Sequence, residues 1–123
     1  MEGIFPSNMG GNMNAVKEDV EKLVQKELES ANQRFPMFRS DHEGAAVIYE
    51  EIQEAEYEFE CIKDRFQELW RSVKCNMSPE WNYEINTVIV NRATNLACEA
   101  IQVAAMAQKF IASQKEREKS EDY

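Results

Sequence analysis

The sequence has no apolar run that approaches the roughly 18 residues required to cross a membrane, and its N-terminus lacks the apolar segment of a signal peptide. Both absences predict a soluble, cytoplasmic protein with no membrane partner. Basic residues are interspersed with acids rather than clustered, and the formal net charge is −9. Because binding to a phosphate backbone requires clustered Lys and Arg, we expect no nucleic-acid partner.

Cysteine, histidine and the common catalytic motifs are also scarce. The three cysteines (Cys61, Cys75 and Cys98) are odd in number and lack CxxC spacing, which indicates reduced core residues rather than disulfides or zinc ligands. No P-loop, GxSxG or GxGxxG motif is present. His42 is the single histidine, so the Glu-x-x-His pairs of a ferritin-like di-iron site cannot form, and that family is excluded.

The organisation of the chain is simple. At 123 residues it is long enough for one domain with a real core. We expect a flexible N-terminal arm over residues 1–13, an all-α domain over residues 14–113 and a charged, solvated C-terminal tail over residues 114–123. No segment shows the alternation of a strand together with turn residues.

A first helix is predicted from about Asn14 to Asn32, because its apolar residues recur at steps of three and four. Pro36 stops it, since proline cannot continue a helix and disfavours helical geometry in the preceding residue. Phe35 and Phe38, on either side of that proline, are expected to plug one end of the core.

Two long helices follow. Ser40 and Glu43 form a capping box, in which each side chain bonds the other residue's backbone N–H, and they begin the second helix. Its apolar residues form a heptad seam, which predicts a long helix partnered along its whole length. The seam consists of Ile48, Ile52, Ala55, Phe59, Ile62, Phe66, Leu69 and Val73. Ser78 and Pro79 then begin a third helix that we expect to end near Ser113.

The third helix is apolar on two faces. One row runs from Ile89 to Phe110 with the same spacing of four and three residues. A second row widens the apolar surface: Ala97, Ile101, Ala104 and Ile111. A helix that is apolar on two faces must bury both, which the other two helices of a monomer cannot achieve. The sequence therefore predicts an all-α, long-helix bundle of three main helices whose core is completed by oligomerisation, as a homodimer or homotetramer.

A carboxylate interrupts the most apolar segment of the third helix. Glu99 lies within residues 95–107, which are hydrophobic nearly all the way round, and a buried carboxylate is costly unless it is paired or binds a metal. On the second helix, Glu51, Glu54 and Glu58 share a face beside the heptad seam. Carboxylates that converge from two helices raise at least one pKa unless a cation neutralises them. Mg²⁺ accepts such ligands together with substrate phosphates.

Two alternatives need no metal. The acids between Glu50 and Glu60 are equally typical of a solvated helix face beside a coiled-coil seam. Glu99 could instead form a single ion pair, with Arg92 on its own helix or with Arg65 across the interface. At the level of sequence both alternatives stay open.

Two segments resemble a known family. Residues 41–54 (DHEGAAVIYEEIQE) and 99–107 (EAIQVAAMA) resemble the MazG-like branch of the all-α nucleoside triphosphate pyrophosphohydrolases, especially its small phage and prophage type. The resemblance covers about residues 35–111, and the second segment is its more specific half. The spacer between the two halves, about residues 57–76, is longer than the family pattern and is expected to extend the second helix.

The resemblance implies a metal site. The family pairs ExxE on one helix with ExxD on the next; Glu51 and Glu54 match the first motif, and Glu99 matches the first acid of the second. Gln102 stands where the aspartate belongs and could ligate through its amide oxygen without contributing charge. These four residues would hold Mg²⁺, or Mn²⁺ in its place, over a triphosphate. Glu50 would be the catalytic residue that orients or deprotonates water.

The implied activity is hydrolysis of a nucleoside triphosphate between its α and β phosphates, giving the monophosphate and pyrophosphate. Arg92, Asn95 and Lys109 are candidate contacts to the phosphates or the base, judged from the direction they face. The competing hypothesis is a non-catalytic relative, a helical assembly or nucleotide-binding module that lost activity because Gln102 replaces the motif aspartate.

Overall fold

The computed structural model describes residues 16–121, which form three α-helices: α1 (Lys17–Arg34), α2 (Asp41–Lys74) and α3 (Pro79–Glu121). Residues 16–121 contain no strand, which confirms the predicted all-α class with three main helices. None of the described helices is long and apolar enough to cross a membrane. The arm predicted for residues 1–13 lies outside the described residues.

Local sequence signals set the first helix boundaries. Phe35 ends α1 in an extended conformation, with φ −134° and ψ 146°, because the following Pro36 disfavours helical geometry there. Ser40 caps α2 by accepting a hydrogen bond of 3.1 Å from the N–H of Glu43. The predicted reciprocal bond to Ser40 is shifted by one residue, since it is the N–H of Arg39 that donates to Glu43 Oε2 over 3.3 Å.

α2 and α3 form a long antiparallel hairpin, against which α1 packs through α3. Asn76 adopts a left-handed conformation in the connection, with φ 51°, which Asn tolerates better than most residues. Ser78 begins α3, and its Oγ accepts a hydrogen bond of 3.3 Å from the N–H of Trp81. Near the same end of the hairpin, the hydroxyl of Ser72 donates to the side-chain oxygen of Asn82.

α3 continues to Glu121 rather than ending near Ser113, so the predicted helix end is wrong. The last turns are held by the segment that connects α1 to α2. Ser113 Oγ accepts a buried hydrogen bond of 2.9 Å from the N–H of Phe38. Arg117 donates to the carbonyl of Phe38 over 2.9 Å and also pairs with Asp41. These partners lie far away in sequence, so residues that look like a solvated tail are in fact anchored.

The buried core lies where α1 crosses α3. It contains Val24, Ala31, Phe38, Ala105 and Met106. Phe38 therefore fills the core as predicted, whereas Phe35 is 60% exposed and does not.

α2 approaches α3 closely beside this core. A Cβ added at Gly44 would lie 2.4 Å from the ring of Phe110. Only glycine fits such a contact without displacing the ring, so this glycine permits the close packing of the two helices.

Half of the heptad seam on α2 is exposed, and the other half is only partly buried. Ile52, Phe59, Phe66 and Val73 recur every seventh residue and are 37% to 50% exposed. Together with their exposed neighbours they form an apolar surface that we call the bare face, which consists of Tyr49, Ile52, Phe59, Phe66, Trp70 and Val73 of α2 and Ile111 of α3. Within residues 16–121, α2 is thus packed against α3 along only part of its seam.

Removing the Ser113 hydroxyl tests the anchor on α3. We expect Ser113→Ala to lower the free energy of unfolding by about 1–3 kcal/mol, because the buried N–H of Phe38 loses its acceptor. Urea denaturation followed by circular dichroism measures the change. Ser120→Ala is the control, since that exposed hydroxyl bonds only the carbonyl of Glu116 in its own helix. Equal stability of the two variants would show that the hydrogen bond between Ser113 and Phe38 does not hold the end of α3 in place.

Candidate metal centre

Three carboxylates meet where α2 and α3 pack together. Glu51 and Glu54 are one turn apart on α2, so both point along the edge that faces α3. Glu99 reaches them from the middle of α3. Each of the three offers one carboxylate oxygen, and these oxygens all lie within 4.8 Å of one another. We call this group the carboxylate cluster; the structure thus brings together the three acids predicted to bind metal.

The carboxylate cluster contains two polar atoms that have no hydrogen-bond partner among the described residues. Glu51 Oε2 and Glu99 Oε2 are both buried and have no hydrogen-bond partner. Leaving a buried carboxylate oxygen unpaired is costly, and native proteins rarely do so without a bound water or ion. The donor set fits a hard divalent cation such as Mg²⁺, which binds carboxylate oxygens and completes its coordination with water and phosphate.

The environment also shifts the proton affinity of these acids. Burial raises the pKa of Glu99, and the nearby carboxylates of Glu54 and Glu51 raise it further, to about 7. The pKa of Glu51 is also raised, by burial and then by the charge of Glu54, although its hydrogen bond with Glu99 acts in the opposite direction. Without a cation, the cluster therefore retains a proton near neutral pH, and a bound cation would displace it.

Within residues 16–121, neither candidate arginine pairs with Glu99. Arg92 is instead paired with Glu58 across the hairpin, at 3.3 Å, and lies over the ring of Tyr57 with 5.8 Å to its centroid. Arg65 pairs with Glu68 on its own helix, at 3.1 Å. Both candidate arginines are thus committed to carboxylates of α2.

The solvated-face alternative holds for part of the acidic run. Glu50, Glu56 and Glu60 are exposed, whereas Glu51 and Glu58 are partly buried. Glu50 lines an open depression of about 370 Å³ that also contains Glu54 and Glu99. It therefore lies beside the carboxylate cluster with its carboxylate accessible to water.

The remaining predicted contact residues separate into two groups. Asn95 is exposed on α3, and Arg92 is engaged with Glu58 as described. Gln102, predicted as the fourth metal ligand, and Lys109 instead line a second depression, which Glu51 also lines. The candidate site residues of α3 are thus divided between two places, on either side of Glu99 in the sequence, rather than serving one site.

The second depression is a cleft of about 510 Å³ between α1 and α2, with α3 as its floor. We call it the α1–α2 cleft. Its walls combine charged, amide and aromatic side chains, including Arg34, Phe35, Phe38, Glu51, Gln102 and Lys109. Because Glu51 belongs to both, the cleft adjoins the carboxylate cluster. Sequence reasoning did not find this cleft, since its walls come from all three helices and from the α1–α2 connection.

Comparison of the chain with protein-family models, with curated proteins and with solved structures gave no match in any of the three. Family membership therefore remains a prediction from the two sequence segments.

The raised pKa of Glu99 predicts a pH-dependent stability of the metal-free protein. In the folded protein the carboxyl of Glu99 has a pKa of about 7, against an ordinary value of 4.5. The stabilisation of the folded state by this bound proton is complete below the ordinary pKa. It is lost as the pH rises through the raised pKa. We expect Glu99→Gln, which cannot ionise, to be more stable than wild type at about pH 8, with the difference shrinking towards about pH 5.

Thermal melts in the presence of a chelator, recorded across that range, measure the difference between the two proteins. Glu56→Gln is the control, because Glu56 is exposed and lies outside the carboxylate cluster. Melting curves of wild type and Glu99→Gln that stay parallel at every pH would contradict the raised pKa.

Proposed function

We propose that this chain is a Mg²⁺-dependent nucleoside triphosphate pyrophosphohydrolase, in which Glu51, Glu54 and Glu99 hold the metal. The observation that carries the proposal is the pair of buried, unpartnered oxygens within a cluster of three carboxylates. Such a group calls for a cation, and Mg²⁺ is the cation that also binds phosphates. The resemblance of residues 41–54 and 99–107 to the MazG-like enzymes supports the same reaction.

Each group in this region has a definable task in such a reaction. Glu51, Glu54 and Glu99 would hold Mg²⁺, which would polarise the phosphate and lower the pKa of a bound water. Glu50, exposed beside the carboxylate cluster, accepts the proton of the attacking water. Gln102 lies one turn beyond Glu99 and offers a neutral amide where the family has a charged aspartate, so the site carries three carboxylates rather than four.

A non-catalytic nucleotide-binding or assembly module is the second candidate. The bare face and the replacement of the motif aspartate by Gln102 favour it. Such a protein would keep the carboxylate cluster as a metal and phosphate site while releasing no pyrophosphate.

In either case we propose that the bare face is covered by a second copy of this chain. Its four aromatic side chains are about half exposed, from Phe59 at 49% to Tyr49 at 60%. Burying the exposed halves would contribute about 400 Å², roughly half of the ~800 Å² that each partner gives to a standard interface. Five alanines of α3 at the four-three spacing, between positions 93 and 107, would let a partner helix approach closely.

Pyrophosphate release tests the proposed reaction. We expect release from one or more nucleoside triphosphates that depends on Mg²⁺ or Mn²⁺. Glu51→Gln and Glu54→Gln should each lower it by at least about tenfold, because each removes a charged ligand. Glu56→Gln, which alters an exposed acid of the same helix, is the matched control.

Metal-dependent thermal stabilisation separates the two candidate functions. A metal site raises the melting temperature of the folded protein by ligand linkage. Stabilisation by Mg²⁺ without pyrophosphate release across a panel of ribo- and deoxyribonucleotides would favour the non-catalytic module. The absence of both would contradict the metal site.

Light scattering coupled to gel filtration tests the second copy. Phe59→Glu combined with Phe66→Glu should convert a dimer or larger assembly into a monomer, because two charges would enter the apolar interface. Leu23→Glu on α1 is the matched control, since Leu23 is 48% exposed and lies outside the bare face. A monomeric wild-type protein would contradict the assembly.

A further inference from the structure

The α1–α2 cleft contains a buried cation that the carboxylate cluster does not use. Lys109 is only 1% exposed, yet it lines the cleft. Its Nζ lies 3.5 Å from the carbonyl oxygen of Phe35 and 5.2 Å from the centroid of the Phe38 ring. An ammonium has three donors, and 3.5 Å is the outer limit of a hydrogen bond. Lys109 thus has hydrogen-bond donors without a good acceptor, and burial lowers its pKa.

The charges of the cleft determine which part of a nucleotide it can accept. Glu27, Glu43 and Glu51 line it, against the two cations Arg34 and Lys109. A triphosphate would be repelled by this excess of carboxylates unless a metal intervened, and the metal ligands lie at the Glu51 end. The phosphates therefore belong at the carboxylate cluster, and the cleft is left for a neutral group.

The remaining walls fit a flat ring. Phe35, Phe38 and Met106 supply apolar and aromatic surface, and the volume of about 510 Å³ is within the range of small-molecule sites. Ser113 and Arg117 hold the backbone of Phe38 from both sides, so this wall is fixed before a ligand arrives.

Polar groups at the base of the cleft then distinguish one ring from another. Lys109 can only donate hydrogen bonds, so it needs an acceptor on the ligand. Uracil, thymine and guanine present a keto oxygen where cytosine and adenine present an amino group, which is a donor. Gln102, also on the wall, can both donate and accept at a ring edge.

We propose that the α1–α2 cleft binds the base of the nucleotide and that Lys109 makes it selective for keto bases over amino bases. This rests on the proposed function, because it takes the ligand to be a nucleotide whose phosphates lie at the carboxylate cluster. A charged hydrogen bond gained with one base and lost with the other corresponds to a preference of about 10- to 100-fold.

Binding of free nucleosides in the presence of a chelator tests the cleft alone, since it requires neither metal nor phosphate. Uridine is compared with cytidine, and inosine with adenosine, by protein NMR titration. We expect the keto member of each pair to bind about 10- to 100-fold more tightly. Lys109→Met should bind uridine as weakly as cytidine, whereas Lys115→Met, at an exposed lysine of the same helix, should keep the preference.

Equal affinity within both pairs, or no binding of any nucleoside by the folded wild-type protein, would overturn the proposal, and neither result depends on whether the variant folds. A preference that persists in folded Lys109→Met would overturn the role of Lys109. Keto selectivity without pyrophosphate release would sustain the cleft and contradict the hydrolase. Release of pyrophosphate with no base preference would support the hydrolase and contradict the proposed role of the cleft.

Discussion

Carboxylate repulsion at the α2–α3 contact is the constraint around which this structure is arranged. Glu99 and Glu51 lie partly buried beside the exposed Glu54, so water screens their charges less than it does on an exposed helix. The hairpin cannot open there without losing packing on both sides of the cluster. Gly44 brings α2 against Phe110 towards one end, and Ser72 bonds Asn82 towards the other. The acids are therefore held together by contacts that they do not make themselves.

The carboxylate cluster and the bare face lie on different sides of the same hairpin. Residues 51, 54 and 58 follow one edge of α2, whereas residues 52, 59, 66 and 73 follow another. α1 covers α3 on the side of the α1–α2 cleft and leaves the bare face open. A second copy could thus pack against the hairpin without blocking either the cluster or the cleft. Assembly and ligand binding would be separable properties of this fold.

Regular spacing explains what the sequence could predict. Helical periodicity placed Glu51 and Glu54 on one face of α2, and the resemblance to the ExxE and ExxD motifs joined Glu99 to them. The long hairpin follows from seams on two adjacent helices. The cleft could not be found in this way, since Lys109 meets Phe35 across 74 residues of sequence. The end of α3 was misjudged for the same reason. Arg117 looks like part of a charged tail until the carbonyl of Phe38 is known to lie beside it.

The hydrogen bonds of Ser113 and Arg117 to the backbone of Phe38 also affect the order in which parts of the protein can fold. These bonds join residues that lie 75 and 79 positions apart, so the connection between α1 and α2 is not fastened until residues 113–117 have been synthesised. The α2–α3 hairpin joins neighbours in sequence and can form earlier. α1 and its connection must then wait for the last turns of α3. The α1–α2 cleft consequently forms after the α2–α3 hairpin, and a chain cut short before Arg117 would keep the carboxylate cluster while leaving the cleft incomplete.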